Sequence, residues 1–148
     1  MQNTSITPIN SEALVRKSNH VNESISKLTV QHQRLLAILI STIRPDDVEM
    51  QTHTFAARDI AELCQLNTTD YYKEARQIVS ELLRKTLLLR EDDGKLYEFQ
   101  WLSVGVYHEE KGLISMAIHP KLQPYFLQLQ SRFVQYQLGD VLQLKSKY

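Results

Sequence analysis

Polar side chains that can all donate a hydrogen bond recur between positions 73 and 84, at the spacing of one helix face. They are Lys73, Arg76, Gln77, Ser80 and Arg84. Lysine and arginine supply contacts to DNA phosphates, and arginine, glutamine and serine can also reach base edges. The pattern therefore predicts a DNA-binding face, with an ordinary solvated helix surface as the alternative.

The other reactive side chains form no arrangement typical of an enzyme. His108, Glu109 and Glu110 could suggest a metal site, but they lie in a predicted turn without a second ligand cluster, which favours a charged hairpin tip. Cys64 falls on the inner face of a predicted helix, which indicates a buried structural thiol. The four glycines form no phosphate-binding loop. We therefore expect no catalysis, no cofactor and no metal.

The composition is typical of one soluble globular domain. The 148 residues are 43% apolar and 23% charged, and they contain one cysteine, which fits a reducing cytoplasm. The sequence shows no secretory signal and no membrane-spanning run. The 17 basic residues balance the 17 acidic ones, which argues mildly against a purely electrostatic nucleic-acid binder. However, residues 121–148 carry four basic residues against Asp140 alone, a local charge of +3.

Three helices are predicted in the first half of the chain. Thr29 can cap a long, largely buried helix that runs to about Arg44 and is stopped by Pro45. A short helix in "ARDIAELC" is followed by the turn "QLNTT" and a second helix over roughly residues 69–85. The apolar stripe of that second helix is Ala75, Ile78, Val79 and Leu82. This pair has the layout of a helix-turn-helix.

The pattern then changes to that of strands. "TLLLRE", "KLYEFQWLSVGVYH" and "LISMAIH" are predicted strands, with turns at "DDG" and "EEKG" and a bulge near Ser103–Gly105. After them, "PKLQPYFLQLQ" predicts a further short helix, in which Pro124 is tolerated in the first turn. A β-meander after a helix-turn-helix forms a wing. The predicted fold is therefore α+β, a winged helix with an extra long N-terminal helix and C-terminal helices.

The long central strand segment has two apolar faces. One face carries Tyr97, Phe99 and Trp101, which we expect in the core. The other face, with Leu96, Leu102, Val104 and Val106, is too apolar for a wing that meets only water. We predict a dimer contact at Leu102, Val104 and Val106, with internal packing as the alternative.

Several segments together resemble the iteron-binding plasmid replication initiators. They are "LVRKSNHVNESISKLTVQHQRLLAILISTI", "DYYKEARQIVSELLRKTLLL", the strand around Trp101-Leu102-Ser103, and "HPKLQPYFLQLQSRFVQYQLGDVLQLKSKY". The likeness covers residues 14–148, and it implies a protein of the bacterial cytoplasm made of two winged-helix domains in tandem. In that family the first domain dimerises and helps to grip the iteron, largely through the DNA backbone. The second makes most of the sequence-specific contacts.

The resemblance also implies a regulatory switch. Dimers repress the initiator's own gene, and monomers bind origin iterons to start replication, with host replication proteins as further partners. Family members continue after a Lys-Ser-x-Tyr segment into the second domain, whereas this chain stops at Lys145-Ser146-Lys147-Tyr148. We therefore expect a disordered arm at 1–13, a winged helix at 14–132, and at 133–148 the start of a connection to a missing domain.

Two other functions remain open from the residues alone. A winged-helix transcriptional regulator is one, although these 148 residues contain no obvious effector-sensing segment. The other is a dimerisation module that does not bind DNA by itself. Alanine substitution of Arg76 and Arg84 distinguishes that module from a DNA-binding domain.

Overall fold

The computed structural model describes residues 20–47, 51–67 and 69–136, the side chains of 131–136 excepted. The predicted arm at 1–13 lies outside these residues, as does the connection beyond 136, while 133–136 continue the last helix. The helices are α1 (residues 20–26), α2 (Val30–Thr42), α3 (Ala57–Leu63), α4 (Tyr71–Leu83) and α5 (Gln123–Tyr136). The strands are β1 (His53–Ala56), β2 (Thr86–Arg90), β3 (Leu96–Gln100), β4 (Leu102–His108) and β5 (Leu113–Ile118).

Helix α2 lies at the centre of the core and contacts α3, α4 and α5. It begins where predicted, because the Thr29 hydroxyl accepts a hydrogen bond from the His32 backbone N–H at 3.2 Å. It ends at Thr42, and Ile43 is already extended ahead of Pro45. The expectation of an extra long helix is not confirmed, since α2 has 13 residues and a break at residues 27–29 separates it from α1. Its buried residues are His32, Leu35, Leu36, Ile38, Leu39 and Ile40.

Helices α3 and α4 form the predicted helix-turn-helix. The turn begins with Gln65 at φ 58°, which lets its N–H bond the Glu62 carbonyl and lets the Leu66 N–H bond the Ala61 carbonyl. These two bonds form a Schellman motif, which satisfies the last carbonyls of α3. Asp70 then caps α4 by accepting from the Lys73 backbone N–H at 3.2 Å. The predicted apolar stripe of α4 is buried, as Ala75, Ile78, Val79 and Leu82.

The strands form two antiparallel sheets, in the orders β1-β5-β4 and β2-β3. The prediction of one continuous strand over "KLYEFQWLSVGVYH" is wrong, because the chain leaves one sheet and enters the other at Trp101. The Trp101 N–H donates to the Lys85 carbonyl at 3.3 Å, and its carbonyl accepts from the His119 N–H at 3.0 Å. Trp101 therefore joins the two sheets through its backbone. The predicted bulge is confirmed by a register shift between Leu102 and Val104.

Strand β1 was not predicted from the sequence. It pairs with β5 from His53 opposite Met116 to Ala56 opposite Leu113, which places the strand that precedes the helix-turn-helix at the edge of the wing sheet. Two predicted turns are confirmed by positive φ angles, 82° at Gly94 and 66° at Gly112. The last helix is longer than predicted, with 14 residues, and Pro124 lies in its first turn as expected.

The three predicted dimer residues do not share one exposed face. Leu102 is fully buried in the core, Val104 is half-buried and Val106 is 39% exposed. The reason is the bulge after Leu102, which interrupts the alternation of side chains along the strand. Leu102 is therefore corrected from a surface residue to a core residue, and the dimer itself stays a prediction.

Candidate nucleic-acid interface

The predicted polar residues lie together on the outer face of α4, opposite the buried stripe. Lys73, Arg76, Gln77 and Arg84 are exposed, and Ser80 is half-buried. Because an α-helix has 3.6 residues per turn, the same periodicity that buries the apolar stripe turns this set to solvent. We name these five residues the α4 face.

The side chain of Arg76 is supported by a neighbouring strand. Its guanidinium lies over the ring of Tyr107 on β4, 4.9 Å from the ring centroid. The absence of a side chain at Gly105 leaves room for this tyrosine, since a Cβ there would lie 3.1 Å from the Tyr107 hydroxyl. The contact of Tyr107 with Arg76 was not predicted from the sequence. The sequence indicated only that an aromatic residue lies on a strand that follows the helix-turn-helix.

Two further contacts along α4 order its polar side chains. A guanidinium N–H of Arg84 donates to the Ser80 hydroxyl at 2.7 Å. The Gln77 amide donates to the Glu81 carboxylate at 3.2 Å. Ser80 therefore positions an arginine, and Gln77 has one of its two N–H groups occupied.

Glu81 also lies close to a buried side chain, without hydrogen-bond geometry between the two groups. Its other carboxylate oxygen lies 3.2 Å from Nε2 of His32, a side chain only 4% exposed. The opposite ring nitrogen of His32 lies 2.7 Å from the Thr29 hydroxyl. Burial lowers the pKa of His32, and Glu81 opposes that effect, so the neutral imidazole is favoured. This pair could not be predicted from local sequence patterns, because His32 and Glu81 lie on different helices.

The α4 face keeps its positive charge. Within the described ranges, Lys73, Arg76 and Arg84 form no salt bridge with a carboxylate. They line a shallow groove beside α4, which also contains Asp70 at the start of the helix and Glu109 from the tip of the β4–β5 hairpin. A further cation lies on α3, where the Arg58 guanidinium is 5.3 Å from the centroid of the Tyr71 ring. The helix-turn-helix therefore presents two ordered arginines and Lys73 at one groove, and a further cation on α3 outside it.

The weaker candidates have ordinary surroundings. His108 makes a 3.1 Å contact with the Ser115 hydroxyl, within the sheet. Among the described residues no three His, Cys, Asp or Glu side chains are grouped to hold a metal ion. Cys64 is buried as predicted, and this burial raises the pKa of its thiol to about 12. In the part of the chain that the structure describes, none of the helices has both the length and the apolar character to cross a membrane.

Two comparisons with known proteins agree with this geometry. Residues 14–148 match the model of a protein family described as "Initiator Replication protein, WH1". A similar solved structure is the X-ray crystal structure of the MSBI1.176 WH1 domain, a replication protein isolated from a multiple sclerosis patient. It superposes with a TM-score of 0.60 at 20% sequence identity, over 81% of this chain and 96% of that one. This likeness shows that the two chains share the winged-helix fold.

Proposed function

Because the chain belongs to the initiator replication protein family, through its WH1 domain, we propose that it binds duplex DNA at a plasmid origin through the α4 face. The domain then acts by binding, without catalysis. Its targets are the iteron repeats of the origin and the operator of its own gene, and the grip falls mainly on the phosphate backbone.

The observation that carries this proposal is a pair of ordered arginines on α4, which together with Lys73 form no salt bridge among the described residues. Tyr107 supports Arg76, and Ser80 supports Arg84, so less side-chain entropy is lost when these groups contact phosphates. Fixed guanidinium groups suit phosphate oxygens well, because they can donate two parallel hydrogen bonds.

The affinity expected from three cations is modest. Backbone binding without base contacts has a Kd of roughly 10⁻⁴ to 10⁻⁶ M at physiological salt. The two acids in the groove oppose DNA, so removing the charge of Glu109 should strengthen binding.

The proposal is tested by fluorescence anisotropy of a labelled duplex with single alanine variants. Lys73→Ala, Arg76→Ala and Arg84→Ala should each weaken binding, by up to about fivefold or about 1 kcal/mol. The matched control is Arg44→Ala, an exposed arginine that follows the C-terminal end of α2 and does not belong to the α4 face. The proposal fails if the three variants bind like the control.

We also propose that the domain self-associates, and exposed apolar side chains support this. Leu88 and Leu96 are 53% and 52% exposed on neighbouring strands of the β2–β3 hairpin, and Val106 is 39% exposed on β4. With an equilibrium between two states, the dimer would repress the initiator's own gene and the monomer would start replication. Sedimentation equilibrium should show a species heavier than 17.2 kDa at tens of micromolar, and a 17.2 kDa species alone would contradict it.

A further inference from the structure

The Gln77 side chain has a fixed orientation at the centre of the α4 face. Its Nε2 atom donates to Glu81 Oε2 at 3.2 Å. A carboxylate only accepts hydrogen bonds, so the amide nitrogen must face Glu81 and the carbonyl oxygen must face away. The contact therefore selects one of the two ways in which this amide can point.

Glu81 is half-buried, and its carboxylate also approaches the interior of the protein. Its second oxygen lies 3.2 Å from Nε2 of the buried His32, which in turn contacts Thr29 at 2.7 Å. These side chains lie in a row from the first turn of α2 to the exposed face of α4, with hydrogen bonds at both ends and a 3.2 Å approach without hydrogen-bond geometry between His32 and Glu81.

The groups that remain on the Gln77 amide match one base. When the N–H trans to the carbonyl oxygen is the one that donates to Glu81, the carbonyl oxygen and the other N–H form an acceptor and a donor side by side. In the major groove, adenine presents an N6 amino donor beside the N7 acceptor, and glutamine can pair with both. Guanine presents two acceptors there, so the amide oxygen would face another oxygen.

The cations place this amide where it can reach a base. Arg76 and Arg84 are eight residues apart, or roughly 12 Å along the helix axis. An α-helix fits into the major groove, so cations that contact the flanking phosphates would bring the exposed side of α4 towards the base edges. Gln77 and Ser80 lie between them, and the hydroxyl of Ser80 is already used by Arg84.

We propose that Gln77 is a specificity-determining residue that recognises adenine in the major groove, with Glu81 as its positioning residue. This inference rests on the proposed DNA-binding function of the α4 face. It goes beyond that function because a backbone grip alone carries no sequence preference.

The test is selection from a pool of randomised duplexes by the full chain, followed by sequencing. Wild type should enrich adenine at one position, and Gln77→Ala should lose roughly tenfold of that preference. Replacing the selected adenine by 7-deazaadenine, which lacks N7, should lower the affinity of wild type for the duplex by a similar factor. The affinity of Gln77→Ala should not change. The matched control is Gln31→Ala, an exposed glutamine on α2, which should select like wild type.

Glu81→Ala gives a second, independent measurement. Removing an acid from the DNA-facing helix should raise overall affinity, while release of Gln77 should lower the adenine preference. A purely electrostatic or structural role for Glu81 cannot produce both changes. The inference is overturned if Gln77→Ala selects the same sequences as wild type, or if wild type selects none. Lys73→Ala then distinguishes the two proposals. If this variant still binds DNA more weakly than wild type, the proposed backbone binding stands without the Gln77 inference. If its affinity equals that of wild type, the proposed function fails as well.

Discussion

The guanidinium of Arg76 on α4 lies 4.9 Å from the centroid of the Tyr107 ring on β4. This contact joins the second helix of the helix-turn-helix to a strand of the wing sheet. The direction of the arginine is therefore set by the wing as well as by its own helix. Helix and wing form one surface, so a substitution in the strand should change the position of Arg76 on the α4 face.

Replacing Tyr107 by leucine should weaken DNA binding by about two- to fivefold, because a cation–π contact of about 0.5–1 kcal/mol is lost. Tyr107→Phe is the matched control, since it keeps the ring, and the hydroxyl has no hydrogen-bond partner among the described residues. Anisotropy titrations at one low salt concentration measure both variants. Equal weakening by leucine and phenylalanine would show that the ring does not support Arg76.

Replacing Gln65 by glycine should stabilise the fold by about 0.5–1 kcal/mol. Gln65 adopts φ 58°, and this left-handed conformation costs an L-residue about 1–2 kcal/mol, part of which glycine loses again as backbone entropy. Urea unfolding followed by circular dichroism measures the change. Gln65→Ala keeps the strain and should leave the midpoint almost unaltered, whereas equal effects of alanine and glycine would contradict the explanation.

The stability of the fold should fall as the solution is acidified below about pH 6.5, in part because of His32. Burial lowers the pKa of His32 in the folded state, while the unfolded chain titrates near 6.5. The unfolded state therefore binds a proton first, and stability is lost between that value and the lower folded pKa. Urea unfolding of wild type and His32→Asn at about pH 7.5 and about pH 5.5 measures this contribution. The variant should show a smaller loss, and identical losses would exclude His32 as the cause.

The Cys64 thiol should be unreactive in the folded protein. Burial raises its pKa to about 12, so almost no thiolate exists near neutral pH, and the sulfur is shielded from reagents. Iodoacetamide labelling at about pH 8, followed by mass spectrometry, should be slow without denaturant and fast in urea. Rapid labelling of the native chain would show that α3 opens readily.

The features that the sequence predicted well are local. The Thr29 cap, the helix-turn-helix and the apolar stripe of α4 are each encoded within a short stretch of the sequence. The same holds for the five polar residues of the α4 face, because one helix positions all of them. The family resemblance, carried by several such segments, agrees with the family match over residues 14–148.

The features that the sequence missed depend on distant pairing. Strand β1 has only four residues, and it forms because it pairs with β5. The hydroxyls of Thr54 and Ser115, which are 61 residues apart in the sequence, form a hydrogen bond between the two strands. The break at Trp101 follows from backbone bonds to Lys85 and His119 in two different sheets. The bulge beside it buries Leu102, which local alternation had placed on the surface. At the candidate site, Tyr107 and His32 were missed for the same reason, because each contacts α4 from another element.

The most direct test of the central claim is the salt dependence of duplex binding by wild type and the triple variant Lys73→Ala, Arg76→Ala, Arg84→Ala. If the three cations contact phosphates, log affinity for wild type should fall against log salt with a slope of about −3. The triple variant should bind much more weakly, with a slope that is smaller in magnitude by about 2 to 3. Equal slopes and affinities for the two proteins would show that the α4 face does not hold DNA.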